Sequence, residues 1–131
     1  MIPICVLAAV IRKDNKIFAA KGGCGEFKGR WEFPGGKNEP HETERQTLAR
    51  EIKEELDAEI RVGRKIDIIE YDYPDFHLSM DCFWCELENE HVVLKEHEAA
   101  KWFSAEELDS MTWLPADQTI IEKIKSELEI K

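Results

Sequence analysis

The sequence predicts an α+β fold, a mixed β-sheet with helices packed against it. Three observations lead there. Pro3 to Ile11 and Lys16 to Ala20 are apolar runs on either side of Asp14-Asn15, the pattern of a hairpin. Thr43 to Leu56 contains no Gly or Pro and keeps apolar residues at Leu48, Ile52 and Leu56, the spacing of a helix with a narrow buried stripe. Two long strand-like runs follow, and helix-start signals return only near the end. At 131 residues, 43% hydrophobic and 35% charged, the chain has the size and mixture of one globular domain, expected to span 1–131. A domain of this size buries roughly two thirds of its unfolded surface, so it needs no disulfide or metal staple.

The first run, Pro3 to Ile11, is rich in β-branched and small apolar residues and reads as a buried strand, with Lys16 to Ala20 as its hairpin partner. Six of the seven glycines then fall between Gly22 and Gly36, which reads as one long loop. On the helix that follows, Leu48, Ile52, Leu56 and Ala49 share one arc at about 100° per residue. Strands are expected at about Glu59–Tyr71 and His77–Glu86, with a short one near Glu98–Phe103. Ser104-Ala105-Glu106-Glu107 has capping-box spacing and opens a short helix. Pro115 starts a terminal helix with Ile120, Ile121, Ile124 and Leu128 facing inward. Met80, Trp84 and Leu78 alternate on one strand face and read as core.

Charge and cysteine usage exclude several classes. The 28 acidic residues against 18 basic ones give a formal charge of −10, which argues against a nucleic-acid polymer as partner. Ile2 to Ile11 is too short to span a bilayer and has no basic region before it, so neither a membrane nor an export route is expected. The setting expected is cytoplasmic, with Cys5, Cys24, Cys82 and Cys85 reduced. Cys82 and Cys85 form a C-x-x-C, yet they lie in a predicted strand, where residues three apart point to opposite faces. They read as packed thiols. His41, His77, His91 and His97 lack zinc-like spacing and read as structural or surface groups.

The helix carries the chemistry. Glu51, Glu54 and Glu55 share the arc beside the apolar stripe, so three carboxylates project from one patch. Like charges about 4 Å apart repel by roughly 4 kcal/mol at an effective dielectric near 20, so water screens them or a cation cancels them. Magnesium suits such a patch, because it takes one or two carboxylates, keeps waters and completes its shell with substrate phosphates. Taken alone, the three glutamates also fit a solvated face balanced by Lys53, Arg45 and Arg50. The preceding Pro34-Gly35-Gly36-Lys37 tips the balance. Paired glycines admit a ligand close to the backbone, and Lys37 adds a point charge for a phosphate. A cation site beside a phosphate site is the layout for Mg²⁺-assisted phosphoanhydride chemistry.

The run from Gly36 reads G-K-N-E-P-H-E-T-E-R-Q-T-L-A-R-E-I-K-E-E-L-D-A. It resembles the Nudix box, G-x5-E-x7-R-E-U-x-E-E-x-G-U, with U a bulky apolar residue. Gly36, Glu42, Arg50, Glu51, Ile52, Glu54 and Glu55 fall on the pattern. Asp57 stands where the family has Gly, and Ala58 is small for the last apolar position. Asp is a tolerable replacement, at a cost of about 1 kcal/mol or less, because it visits the left-handed turn more readily than most residues. Trp31-Glu32-Phe33-Pro34-Gly35-Gly36-Lys37 and Tyr71-Asp72-Tyr73-Pro74-Asp75-Phe76-His77 resemble MutT-type enzymes. Glu96 to Trp102 and Leu114-Pro115-Ala116-Asp117 are similar to the bacterial CTP pyrophosphohydrolase branch. The resemblance implies the Nudix fold, an α/β/α sandwich around a mixed sheet.

It also implies roles. Glu54, Glu55 and the Gly35 carbonyl would hold Mg²⁺, or Mn²⁺ in its place. Glu51 would be a further ligand or the base that activates water, and Arg50 would orient the carboxylates through a forked hydrogen bond. Glu96 would be a remote ligand, with Glu98 its rival. Lys37 and Lys21 would contact phosphate oxygens, and Phe33 and Tyr73 could stack on the base or pack as core. The implied reaction converts a nucleoside triphosphate to the monophosphate and pyrophosphate. Asp117 occupies the position that reads the base: ionised, it accepts from the amine of cytosine; protonated, it can read an oxidised guanine. It could equally complement a helix start. ADP-ribose, NADH and dinucleoside polyphosphates are alternative substrates, and a non-catalytic nucleotide-binding module is a further alternative. The assembly expected is a monomer or homodimer.

Overall fold

The apolar run near the start becomes the spine of the sheet. The computed structural model describes residues 2–22, 29–88 and 99–129, so the sequence expectations for Cys24, His91, Glu96, His97 and Glu98 lie outside the described residues. Strand β1 (Ile2–Lys13) is buried on both sides over its second half: Leu7, Ala9 and Ile11 belong to one core, Ala8 and Val10 to another. Alternate residues of a strand face opposite sides, so one continuous apolar run serves two layers. It pairs in parallel with β6 (Phe76–Leu87) and antiparallel with β2 (Lys16–Gly22) and β4 (Gly35–Lys37). Strand β3 (Arg30–Glu32) and β7 (Ala99–Ser104) add to β2, and β5 (Ile60–Asp72) adds to β6. The seven strands make one mixed sheet.

Helix α1 (Glu44–Leu56) covers one face, seating Leu48, Ile52 and Leu56 against Leu7, Ala9 and Phe83. Thr43 caps its start with a capping box completed by Gln46. Asp57 ends it in the left-handed region, φ 52° and ψ 35°, as the sequence required of a residue standing for glycine. Ala58 is fully buried in the same core, filling the small space its position leaves. The other face is covered by α2 (Ala105–Leu108), α3 (Pro115–Gln118) and α4 (Ile121–Glu129) over Phe103, Trp113, Ile120, Ile121 and Ile124. Ser104 caps α2 through the expected box with Glu107. Cys82 sits in the second core and Cys85 in the first, on opposite faces of β6, and burial pushes the Cys85 thiol up to about 12.

Three expectations need correction. The glycine-rich stretch is not one loop, because β3 and β4 lie within it; two three-residue strands, one of them Gly-Gly-Lys, carry no local pattern and exist by pairing with β2 and β1. The terminal helix is broken. Thr119 Oγ1 donates to the Ala116 carbonyl at 2.6 Å, and the Thr119 and Ile120 amides reach back only three residues, which tightens the chain into a turn before α4. Ala49 is exposed, and Thr47 is buried in its stead, its hydroxyl bonded to Asn38 and Glu42. The buried arc is therefore rotated towards the loop.

Because Ile52 is wholly buried and seats α1 on the sheet, Ile52→Ala is expected to lose about 2–5 kcal/mol of unfolding free energy. Urea unfolding of the variant against the native chain measures it.

Candidate active site

Helix α1 meets the sheet where β4 crosses β1, and that meeting builds a charged network. The Arg50 guanidinium forks onto Glu42, with Nε to Oε2 at 2.7 Å and Nη2 to Oε1 at 2.9 Å. Its Nη1 donates to Glu51 Oε1 at 2.8 Å and to Glu54 Oε2 at 3.2 Å, and Nη2 also reaches the Lys37 carbonyl at 3.2 Å. One planar cation thus ties the loop before the helix, the strand β4 and two carboxylates on the helix face, an arrangement that needs the fixed fork of arginine. The Arg50 guanidinium, with hydrogen bonds from the Thr47 hydroxyl and the Glu39 amide, holds the Glu42 carboxyl down at about 2. The bonds to Glu42 and Glu51 hold the Arg50 proton more tightly than usual.

Glycine is obligatory beside this network. A Cβ on Gly36 would lie 2.4 Å from the Glu51 carboxyl carbon and within 2.8 Å of both its oxygens. A Cβ on Gly35 would lie 2.0 Å from the Leu7 carbonyl oxygen. Glu51 and Glu54 each give one oxygen to Arg50 and keep a second outside those bonds, while Glu55 is half-buried with its Oε2 enclosed by protein. Hard carboxylate oxygens around a glycine cradle fit a hard divalent cation. Among the described residues, no three carboxylate, imidazole or thiol groups converge on one point. That is compatible with magnesium, which needs only one or two carboxylates when waters and phosphates supply the rest.

A pocket of about 400 Å³ opens next to the cradle, lined by Gly35 and Gly36 at one end and Asp117 at the other. Phe33 and Tyr73 are two of its walls. Phe33 stacks on Trp113 at 4.9 Å and Tyr73 on Phe76 at 4.9 Å, so both rings are fixed by packing before any ligand arrives. Asp117 is 5% exposed, and its Oδ2 accepts the Phe33 amide at 2.9 Å across 84 positions of sequence. Backbone bonds from Trp31 to Thr112 and from Leu114 to Trp31 bring the two segments together. Burial pushes the Asp117 carboxyl up to about 7, and the nearby Glu32 charge adds to the rise.

The structure gathers Gly35, Phe33, Tyr73 and Asp117 at this pocket, with Arg50, Glu51, Glu54 and Glu55 beside it on α1. Lys37 is exposed at the end of β4. Lys21, opposite Trp31 and Ala99 on β2, does not line the pocket. Leu78 and Met80 do line it, although their alternation with Trp84 marked only a core face in the sequence, and Phe76 lines it beside them. His77 is a surface group, clamped between Asp72 and Glu70, whose carboxylates raise its pKa above the usual value.

The whole arrangement matches a known family model, the NUDIX domain, over residues 1–124. The chain belongs to the Nudix family. It is 35% identical over 130 residues to the CTP pyrophosphohydrolase of Escherichia coli (strain K12), covering 89% of this chain and 87% of that protein. It is 34% identical over 122 residues to a putative 8-oxo-dGTP diphosphatase 2 of Mycobacterium tuberculosis (strain ATCC 25618 / H37Rv), covering 88% and 82%. The solution structure of the E. coli ORF135 protein superposes with a TM-score of 0.85 at 31% identity, covering 100% of this chain and 94% of that one. The chain is a Nudix hydrolase, a class that acts on nucleotide phosphoanhydride bonds, and its α+β architecture is the Nudix fold. No helix among the described residues is long and apolar enough to cross a membrane.

Gly36→Ala is expected to lower kcat/KM by about 100-fold through displacement of the Glu51 carboxylate. The clash falls on the end of a flexible side chain, so the melting temperature should stay near that of the native protein.

Proposed function

We propose that the protein is a Mg²⁺-dependent nucleoside triphosphate pyrophosphohydrolase, releasing pyrophosphate and the monophosphate from a cytidine or an oxidised-purine triphosphate. The observation that carries this reading is Arg50, which holds Glu42, Glu51 and Glu54 in one network beside a pocket floored by Gly35 and Gly36. The names of the two relatives, one acting on CTP and one on 8-oxo-dGTP, support a triphosphate substrate with either kind of base.

In this reading Glu54, Glu55 and the Gly35 carbonyl hold the cation, with Glu51 as a further ligand or as the base towards water, and Glu96 as a remote ligand. When bound, a divalent cation lowers the pKa of its water and neutralises charge on the leaving pyrophosphate. Arg50 bonds one oxygen of Glu51 and one of Glu54, so their geometry is set before substrate binds. Lys37 and Lys21 contact phosphate oxygens. Phe33 and Tyr73 hold the base between apolar walls, and Asp117 reads its polar edge. With the carboxyl near neutrality, Asp117 populates both states: the ionised form accepts from a cytosine amine, and the protonated form donates to an oxidised guanine. A nucleotide-pool role in the cytoplasm follows from such substrates.

Initial rates for CTP, dCTP, 5-methyl-dCTP, 8-oxo-dGTP, dATP and ADP-ribose test the substrate class. The triphosphates are expected to lead with pyrophosphate as product, and ADP-ribose ranking first would overturn the reading. A chelator, or Glu54→Gln, should abolish turnover; near-normal Mg²⁺-dependent rates in that variant would remove the role given to Glu54. The ratio of kcat/KM for CTP over 8-oxo-dGTP should rise with pH through about 7, because the ionised, accepting form of Asp117 gains there. The full change should be within about 5- to 150-fold, the worth of one base contact. Asp117→Asn, which cannot ionise, should flatten the profile. Stability should move the other way, falling as pH rises from about 4 to 7, because the folded state holds a proton on Asp117 that the unfolded chain releases.

A further inference from the structure

Among the described residues, Asp117 and Thr47 stand out as buried polar groups. Asp117 lines the pocket, and Thr47 does not. Thr47 is wholly buried in the first half of α1. A buried hydroxyl costs free energy unless it is bonded, and threonine is a poorer helix former than alanine. Alanine would therefore serve the helix better at this position. Inside a helix, a threonine hydroxyl can turn back to the carbonyl four residues earlier. Thr47 instead sends its hydroxyl out of the helix, to the segment that precedes α1.

Thr47 Oγ1 accepts from Asn38 Nδ2 and donates to Glu42 Oε1 at 3.2 Å. Asn38 Nδ2 also reaches the Glu42 carbonyl at 3.3 Å, and the Glu39 amide donates to Glu42 Oε1 at 3.2 Å. The two Arg50 bonds complete the set, so Glu42 Oε1 takes three donors and Oε2 a fourth. Arg50 is part-exposed and Glu39 exposed, so water competes at both. The Thr47 hydroxyl is sealed from it. That makes Thr47 a fixed stop on a carboxylate whose other partners are wetted.

We propose that Thr47 is a positioning residue for hydrolysis: its hydroxyl sets the Glu42 carboxylate, and through it the Arg50 fork and the carboxylates of Glu51 and Glu54. The proposal rests on the reading that Glu51 and Glu54 serve the reaction. It adds a residue from a position that the Nudix box leaves open and the acidic arc does not contain. The bonds run in sequence from Asn38 to Thr47, to Glu42, to Arg50, and on to Glu51 and Glu54. Without the hydroxyl, Glu42 Oε1 keeps its two wetted donors, and the carboxylate pivots with the guanidinium. A displacement of that kind falls on the reacting geometry rather than on the fold.

Two variants separate the hydroxyl from packing. Thr47→Val keeps the branched shape and loses the hydroxyl, and Thr47→Ser keeps the hydroxyl and loses a methyl. Both are expected to fold, because Asn38 is exposed to water and Glu42 keeps its other donors. The first measurement uses neither substrate nor metal: solvent exchange of the Arg50 Nε–H, followed by nuclear magnetic resonance. Thr47→Val is expected to speed that exchange by about tenfold or more, and Thr47→Ser to stay within about threefold of the native chain. The second is Mg²⁺-dependent turnover of the fastest substrate in the nucleotide panel. Thr47→Val should lower kcat by about tenfold with KM within about twofold, and Thr47→Ser should keep kcat within about threefold. A packing role alone predicts the reverse order, with Thr47→Ser the more damaged. In Thr47→Val, an unchanged exchange rate or an unchanged kcat would overturn the proposal, as would an equal loss in Thr47→Ser. ADP-ribose as the fastest substrate would sink the triphosphate reading and leave both measurements on Thr47 standing.

Discussion

The forked pairing of Arg50 with Glu42 joins the loop after β4 to helix α1, and the site depends on that junction. Without it, Glu51 and Glu54 would share a helix face with nothing to fix their directions, and mutual repulsion would drive them apart. With it, a single cation partly cancels the repulsion and turns both carboxylates to a set orientation. The Lys37 carbonyl accepts from the same guanidinium, so β4 is held in register with the helix as well as with β1. Helix placement in turn rests on Leu48, Ile52 and Leu56, which bury the opposite side of α1 in the sheet. The acidic charge of the chain thus divides into a fixed patch, braced by arginine, and a solvated remainder.

The second constraint is the meeting of segments far apart in sequence. Asp117 belongs to α3, and Phe33 lies between β3 and β4, yet the amide of one bonds the carboxylate of the other. That bond places a carboxyl in an apolar layer, which is the source of its raised pKa. The base end and the phosphate end of the pocket are both set by one short stretch, Phe33-Pro34-Gly35-Gly36, whose backbone is pinned by β1 on one side and Asp117 on the other.

Much of this was legible in the sequence, for physical reasons that differ by element. Helix α1 could be read because its apolar spacing, its lack of Gly and Pro and its run of glutamates are local signals, and Asp57 took the left-handed cap that its position demanded. The placement of Cys82 and Cys85 followed from strand alternation alone. Strands β3 and β4 were not legible: three residues hold no period, and a Gly-Gly-Lys strand exists by tertiary pairing. The break between α3 and α4 was hidden because Thr119 acts through a side-chain bond that competes with the helix. The acidic arc on α1 was visible, but the fork of Arg50 onto Glu42, across eight positions, needed the fold to bring the loop alongside. Leu78 and Met80 looked like core, and Met80 is buried with Leu78 packed against that core, but both also line the pocket, since a strand face that packs inside at one end can be open at the other.

The two cysteines on β6 have a use unconnected with catalysis. Cys82 is sealed under α3 and α4, and Cys85 under α1, three residues apart on one strand but in separate layers. Each thiol becomes reachable only when its own layer lifts, since burial holds both in the unreactive protonated form. The chain therefore carries two built-in reporters of local opening, one per side of the sheet. A disulfide between them would require β6 itself to come apart.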